Sequence, residues 1–390
     1  MINMEKEISN GKKNLLIATD NFLPRWDGIA RFLAEIIPRL KEDYNITVIA
    51  PNFEGEFQGW PDVKIIRIPL MFKVADLPVA RFSYFKIKNE VKKSDIVFTQ
   101  TIGPIGGLAI IAAKRKKKKI VSYIHSIDWD IVVKSISEKI ICKKFIYKKV
   151  RKIAKKLYNK SNIILIPFKE LEEVYEWNEI KTKMIVVPLG VNIDRFKPPF
   201  SKSESKKRFG IGEEKIVIGF HGRIGREKDL PTLFRAFLRI KKNYNNLILL
   251  IVGEGLGSIT KKLEENKDII LAGKQDNVIP YLQAMDIYVL PSLTETTSLA
   301  TLEAMSCGIP PICTPVGYVK DYIKEGENGF LFDKGDSYLL SKKMELLIEN
   351  KNLRETMGVY ARQTAVNSFS WNLTIERLKV ALKIVQDTEK

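Results

Sequence analysis

Apolar residues along this chain gather into short, β-branched runs separated by segments with helical spacing. In the first half the runs are Asn14-Leu-Leu-Ile-Ala-Thr19, Ile46-Thr-Val-Ile-Ala50, Asp95-Ile-Val-Phe-Thr99, Lys119-Ile-Val-Ser-Tyr-Ile124 and Asn162-Ile-Ile-Leu-Ile166. Each closes on polar, Gly or Pro residues, and intervening stretches such as 30–40 place apolar residues three and four apart. A second series opens at Ile216-Val-Ile-Gly-Phe220 and continues through Leu247-Ile-Leu-Leu-Ile-Val252, Ile269-Ile-Leu271, Ile287-Tyr-Val-Leu290 and Ile309-Pro-Pro-Ile-Cys313 to Phe330-Leu-Phe332. Strand and helix patterns in alternation predict parallel, doubly wound α/β sheets.

Between the series, Val186-Val-Pro-Leu-Gly-Val-Asn-Ile-Asp-Arg-Phe-Lys-Pro-Pro199 and the polar run 201–208 read as a linker. The simplest architecture is two Rossmann-like domains facing a cleft: residues 1–195, a linker over 196–212, residues 213–370, and a closing amphipathic segment over 371–390. A chain of 390 residues fits this division, because single cores stop growing at roughly 250–300 residues. Ligands of such sheets sit outside the carboxyl ends of the strands, which is where Arg223, Gly253 and Glu295 fall.

Composition narrows the class. The longest apolar run, Ile105-Gly-Gly-Leu-Ala-Ile-Ile-Ala-Ala113, is shorter than the roughly 18–20 residues that span a bilayer. The start, Met1-Ile-Asn-Met-Glu-Lys-Glu-Ile8, lacks the basic-then-apolar order of a secretory signal, so a cytoplasmic enzyme is expected. Cys142, Cys307 and Cys313 show no paired spacing, and the histidines are His125 and His221. Neither a disulfide nor a protein-ligated transition metal is expected.

The chemistry concentrates in Pro291-Ser-Leu-Thr-Glu-Thr-Thr-Ser-Leu-Ala-Thr-Leu-Glu-Ala-Met-Ser-Cys-Gly-Ile-Pro310, which sets Glu295 and Glu303 around a predicted helix start. A helix N-terminus offers free N–H groups and a positive dipole end, which attract phosphate. Upstream, Gly222-Arg-Ile-Gly-Arg-Glu-Lys228 adds Arg223 and Lys228 after a strand. Together they describe a pocket for a diphosphate with hydroxyl-rich groups at both ends. Read separately, each piece has a plainer reading: a solvated turn for Arg223–Lys228, a strand-to-helix turn for Gly253-Glu-Gly255, and helix-capping carboxylates for Glu295 and Glu303.

The order Gly222-Arg223, Glu227-Lys228, Gly253-Glu-Gly255, Glu295 and Glu303 with seven residues between them, then Glu303-Ala-Met-Ser-Cys-Gly-Ile-Pro310, resembles the family 4 retaining, nucleotide-sugar-dependent glycosyltransferases of GT-B architecture (glycosyl transferases group 1). The motif order covers about residues 215–335. The resemblance implies that Arg223 and Lys228 neutralise the leaving diphosphate in place of a metal ion, so that no cofactor is required. It assigns Glu303 to the ribose hydroxyls and Glu295 to the transferred sugar. Gly253 and Gly255 would approach the donor through their backbone, Lys274 would stand beside the nucleobase, and the N–H groups of Leu299, Ala300 and Thr301 would meet phosphate. A His at the position of His125 contacts the donor sugar in this family, although a satisfied buried histidine has the same strand-end placement. Gly28 would line the donor–acceptor junction, with Asp27, Gly103 and Asp128 towards the acceptor; Asp27 equally suits an N-cap, and Asp128 a cap. His221 reads as structural. The final helix would cross back to the first domain.

Three positions depart from the family pattern. Thr297-Ser298 stands where Phe-Gly is common, so the Ser298 side chain and the missing aromatic would alter the wall that touches the sugar; Asp27 replaces one of two glycines; and Gln100-Thr-Ile-Gly103 occupies a place where relatives often carry a His.

The net charge of +19 is uneven, +15 falling in residues 1–200 and +4 in the remainder. The first half holds Lys114-Arg-Lys-Lys-Lys-Lys119 and the basic segment from Lys139 to Lys160, in which Ile146, Val150, Ile153 and Leu157 keep helical spacing. Such a helix suits an anionic membrane surface, each basic residue contributing about 1 kcal/mol, though the same stripe suits packing on a core. The stretch from Pro69 to Phe85, read as a loop, mixes aromatic residues with cations. Nucleic acid is not the expected partner, because no recognition-helix module or aromatic RNA-binding strand is present. The expectation is transfer of a hexose from a UDP- or GDP-sugar to a lipid or lipid-linked glycan at the inner face of the cell membrane. A soluble or polysaccharide acceptor, or a non-catalytic basic protein of the same fold, is the alternative.

Overall fold

The computed structural model describes residues 11–74, 77–135, 143–255, 257–264 and 266–387. The amino-terminal start, Cys142 and residues 139–142 of the basic segment lie outside the described residues. The chain divides into two compact units, Met1–Pro188 with Thr374–Lys390, and Leu189–Leu373.

In the first unit, strands β1 (Lys13–Ala18), β2 (Tyr44–Pro51) and β3 (Val63–Ile68) precede a hairpin of β4 (Leu70–Val74) and β5 (Leu77–Ala80). They are followed by β6 (Ile96–Thr99), β7 (Lys119–Tyr123), β8 (Ile163–Ile166) and β9 (Met184–Val186). The main sheet is parallel, in the order β3-β2-β1-β6-β7-β8-β9. Its helices are α1 (Gly28–Leu40), α2 (Tyr84–Lys93), α3 (Pro104–Arg115), α4 (Asp128–Ser135), α5 (Lys143–Tyr158) and α6 (Glu170–Trp177). The central strands are buried on both faces, which is why they read as continuous apolar runs. β3 and β9, at the two edges, are half-buried; Lys64 and Arg67 interrupt β3 and β9 is three residues long, so sequence pattern alone passes over them. The stretch 69–85 is corrected from a loop to a hairpin leading into α2, because its apolar residues pair across β4 and β5 and Ala80 enters the core.

The second unit opens with α7 (Lys202–Lys207), then β10 (Ile216–His221), α8 (Leu230–Ile240), β11 (Leu247–Val252), α9 (Gly257–Glu264), β12 (Ile269–Leu271), α10 (Ile279–Ala284) and β13 (Ile287–Leu290). After these come α11 (Leu299–Ser306), β14 (Pro311–Cys313), α12 (Val319–Tyr322), β15 (Phe330–Leu331), α13 (Ser337–Glu349) and α14 (Lys351–Phe369). Its parallel sheet runs β12-β11-β10-β13-β14-β15.

The expected linker over 196–212 is built into this unit rather than left free. Val191 and Phe196 are buried in its core. Arg362 on α14 donates to the carbonyls of Phe196 and Ile193 at 2.6 and 3.0 Å. Lys206 of α7 is buried in an ion pair with Asp286, 2.8 Å away. Beyond Leu373, α15 (Trp371–Asp387) belongs to the first unit, where Lys379 meets Asp43 at 2.7 Å and Gln386 donates to the Tyr44 hydroxyl at 2.9 Å.

Candidate functional site

The strand order locates a crevice in the second sheet. From β10 the chain moves outward through β11 to β12, then returns to place β13 on the other side of β10. Between β10 and β13 successive connections therefore diverge, the place where open α/β sheets take their ligands. The loop after β10 carries Gly222 to Lys228, and the loop after β13 carries Ser292 to Ser298.

Across this crevice the Lys228 ammonium contacts Glu295 Oε1, and Ser292 Oγ donates to the same oxygen at 2.8 Å. The side chains of Lys228 and Glu295 are 17 % and 12 % exposed. The two loops are further joined by Leu293 N–H donating to the Glu227 carbonyl at 2.8 Å. Lys228 ends a 3₁₀ turn, Arg226–Lys228, after which Asp229 takes a left-handed conformation at φ 45° and α8 begins. That reversal aims the turn at the neighbouring loop. Arg223 lies at the outer edge of the same loop, 77 % exposed and paired with Glu227 at 2.6 Å.

Glu303 lies one turn inside α11, and its Oε2 is 2.8 Å from His221 Nε2, each side chain being 5 % exposed. A carboxylate only accepts, so His221 Nε2 carries the proton. His221, read from sequence as structural and placed at the last residue of β10, thus holds one of the two expected carboxylates. Buried Tyr288 packs against the His221 ring, 5.4 Å between centroids, within range of both carboxylates. Its hydroxyl is driven well above the usual range by burial first, then by the charges of Cys313, Glu295 and Glu303.

Ser298 caps α11 at φ 53°, a conformation usual for glycine. Its Oγ lies 2.9 Å from Thr301 Oγ1 and accepts from Thr301 N–H at 3.4 Å, and its carbonyl accepts from Leu302 N–H at 3.3 Å. The cap therefore takes the Thr301 N–H that the sequence reading offered to phosphate. Leu299 and Ala300, at the first helical positions, have no acceptor within the helix.

Gly253 and Gly255 have a structural reason of their own. The loop after β10 continues alongside that after β11, with Gly222 N–H donating to Val252 O at 2.9 Å and Ile224 N–H to Glu254 O at 2.8 Å. A Cβ on Gly253 would fall on the Gly222 carbonyl, and one on Gly255 on the Ile224 carbonyl. Lys274, after β12, is exposed and 3.7 Å from Glu254. Cys307 and Cys313 are buried free thiols, each pushed up to about 12 by burial.

In the first unit, Asp27 is the N-cap of α1, accepting from Ile29 and Ala30 N–H at 3.0 and 2.9 Å, and Gly28 opens the helix with free space around its Cα. His125 Nε2 lies 2.9 Å from Gln100 Oε1, and burial lowers the imidazole to about 3. Asp128 accepts from Tyr158 and Tyr175 hydroxyls at 2.7 and 3.2 Å, and burial raises it to about 6. Gly103 is explained by Asp20, which the sequence reading passed over: a Cβ there would come within 2.6 Å of the Asp20 carboxyl carbon. Asp20 lies between β1 and β6, where the first sheet also reverses direction. Its carboxylate accepts from Thr101 Oγ1 and from the Ile105 and Gly106 N–H groups at 2.5, 2.9 and 3.1 Å. The start of α3 is thus capped by the Asp20 carboxyl, which burial raises above its usual range, whereas at the start of α11 the Ser298 side chain accepts only from Thr301 N–H.

The basic surface belongs to the first unit. On α5, Ile146 and Val150 are half-buried while Ala154, Leu157 and Tyr158 are buried; Ile153, expected on that stripe, is instead 45 % exposed, as is Phe145 at 67 %. Ala154, not Ile153, continues the four-residue step from Val150, which accounts for the correction. Phe145 and Ile153 stand among Lys148, Lys149, Lys152 and Lys156, while Lys155 is paired with Glu179. Arg115 donates to the Tyr84 hydroxyl at 2.9 Å, joining the 114–119 run to the exposed Phe82 and Phe85. The helices α2, α3 and α5 share one core layer, so the three segments lie on one side of the sheet. Among the described residues no helix is long and apolar enough to cross a membrane.

Comparison with known proteins matches residues 26–195 to the family "Glycosyltransferase Family 4" and residues 201–364 to "Glycosyl transferases group 1". An uncharacterized glycosyltransferase of Methanocaldococcus jannaschii is 26 % identical over 94 % of this chain and 97 % of its own. The alpha-monoglucosyldiacylglycerol synthase of Streptococcus pneumoniae is 24 % identical over 86 % of this chain and 79 % of its own. Among solved structures, Anabaena HepE in complex with UDP superposes with a TM-score of 0.77 at 16 % identity, covering 95 % of this chain and all of that one, 100 %.

Proposed function

We propose a specific reaction from the premise that the chain belongs to the family 4 glycosyltransferases of GT-B architecture: transfer of a hexose from a UDP- or GDP-sugar to a membrane-associated acceptor, with retention of anomeric configuration and without a metal ion. The observation that carries it is the part-buried Lys228–Glu295 contact at the reversal of the second sheet, in the loop that leads into α11. Free N–H groups at a helix start and a lysine on the facing loop are both suited to phosphate oxygens. The carboxylate one turn away, Glu303, suits a vicinal diol such as ribose. That the Anabaena structure was solved with UDP supports a nucleotide in this fold.

In this reading the anomeric C–O bond to the diphosphate breaks as the acceptor oxygen bonds the same carbon on the same face. Lys228, Arg223 and the Leu299 and Ala300 N–H groups stabilise the leaving charge, and Glu295 the positive charge at the anomeric centre. The acceptor proton passes to a leaving phosphate oxygen. Arg223 swings from Glu227 to phosphate, for which its exposure leaves room.

The membrane acceptor is supported by the single-sided basic and aromatic layer over α2, α3 and α5, and by similarity to a diacylglycerol-glycolipid synthase. In this reading the enzyme works as a peripheral protein on the cytoplasmic face of the membrane. Calorimetry with UDP and GDP, followed by nucleotide release from a panel of their sugars, tests the donor; absence of binding by both diphosphates would remove the proposal. Flotation with anionic against neutral vesicles tests the surface, and equal recovery with both would point to a soluble acceptor.

A further inference from the structure

Trp26, in the loop from β1 to α1 of the first unit, is 66 % exposed. The backbone beneath it is held in place. Phe22 is fully buried and packs edge-on against Phe57 and Trp60 of the loop after β2, at 5.8 and 6.2 Å between centroids, and the Arg67 guanidinium lies over its ring at 5.2 Å. Gly55 seats on Pro24, where a Cβ would come within 3.1 Å of Cγ, and the Arg25 guanidinium lies over Phe53 at 5.5 Å. An exposed aromatic by itself is ordinary. This one is flanked by two planar polar groups that are not used up. Asp27 spends Oδ1 on the Ile29 and Ala30 N–H groups, while its Oδ2 is 3.9 Å from Arg25 Nε, beyond hydrogen-bond length. Gly28 is exposed, and a Cβ there would meet nothing within 4 Å, so open space lies beside the cap.

We infer that this corner of the first unit is a saccharide subsite: the Trp26 ring takes the hydrogen-bearing face of a pyranose, Asp27 Oδ2 accepts from one ring hydroxyl and the Arg25 guanidinium donates to another. A pyranose is apolar across its C–H face and polar around its rim, so an aromatic surface with a donor and an acceptor at its edge matches it. The local charge argues the same way. Glu54 and Glu56, on either side of Gly55, join Asp27 against the one cation Arg25, so the corner repels an anionic membrane or a phosphate but not a neutral hydroxyl. That this sugar belongs to the acceptor rests on the proposed transfer reaction, and it narrows the acceptor to one that already carries a saccharide. The binding itself rests on the first unit's geometry alone.

Methyl glucoside, methyl mannoside and maltose at millimolar concentration are the probes, with the full-length protein. Saturation-transfer NMR should show magnetisation passing to the ring C–H protons of at least one of them. Trp26→Ala should weaken that binding about tenfold, Trp26→Phe should keep most of it, and Arg25→Leu should weaken it about fivefold or more, all with melting temperatures nearly unchanged. The chain has five tryptophans, so Trp26 emission is read as wild type minus Trp26→Phe and should respond to the same saccharides. Transfer to none of the probes, or undiminished transfer in Trp26→Ala, would overturn the inference. So would a Trp26 emission that moves to the blue with phosphatidylcholine–phosphatidylglycerol vesicles and not with the saccharides, which would assign the side chain to a membrane. Saccharide binding that depends on Trp26, in a protein that releases neither UDP from UDP-glucose nor GDP from GDP-mannose, would uphold the subsite and count against the transfer reaction instead.

Discussion

Replacing Asp128 by Asn should make the protein more stable at neutral pH than the wild type. The Asp128 carboxylate takes two tyrosine hydroxyls, yet burial outweighs them and raises it from 3.8 to about 6. Tyr158 and Tyr175 are themselves driven well above the usual range by burial, so both remain donors throughout. A raised folded-state value means that the native protein holds this proton more tightly than the unfolded chain. The associated stability is therefore full below about pH 4 and is lost as pH rises through about 6. Roughly two units correspond to about 3 kcal/mol at full desolvation, and about 2 kcal/mol for a half-buried group. Asn keeps an acceptor for both tyrosines and has no charge to desolvate. Urea unfolding of both proteins from pH 4 to 8 isolates this group, since every other titration cancels in the difference. The stability of Asp128→Asn relative to wild type should climb by about 2–3 kcal/mol between pH 4 and 7 and then level off. A flat difference, or one that falls with pH, would refute the reasoning.

Lys228→Ala should weaken UDP at least about tenfold while leaving uridine unaffected, because the lysine meets the diphosphate; equal loss for both ligands in calorimetry would move Lys228 out of the site. Glu295→Gln should lower turnover by about 10²–10³ with donor affinity largely kept, and a mutant with wild-type turnover would end the catalytic assignment. Gly253→Ala forces a Cβ onto the Gly222 carbonyl at φ 143° and should cost about 3 kcal/mol or more, whereas a melting temperature within a degree or two of wild type would show that the neighbouring loop yields. Phe145→Ser combined with Phe85→Ser should reduce recovery with anionic vesicles in flotation, with nucleotide binding intact; unchanged flotation would leave the surface without its apolar contribution.

What was legible in the sequence follows a physical rule. The central strands were visible because burial on both faces demands uninterrupted apolar residues, as in Leu247–Val252; the edge strands Val63–Ile68 and Met184–Val186, half-exposed, carry no such demand. Glu295, Glu303, Arg223 and Lys228 stood out because their types and spacing within two loops suggest phosphate and diol chemistry before any fold is known. Their partners did not stand out. Nothing local marks His221 as the residue that holds Glu303, or Gln100 as the partner of His125, since both pairings form across strands 82 and 25 residues apart. Asp20 is the clearest case. In sequence it is one more polar residue after a strand, and the glycine-rich start of α3 looks as ready for phosphate as the start of α11. Only the fold shows that Asp20 already occupies the first position and that Gly103 is kept small to admit it. Both sheets reverse direction beside a helix N-terminus, but a carboxyl takes the first N–H groups of α3, whereas at α11 the cap takes only that of Thr301. This is why the second unit, and not the more basic first, is where a nucleoside diphosphate is expected to bind.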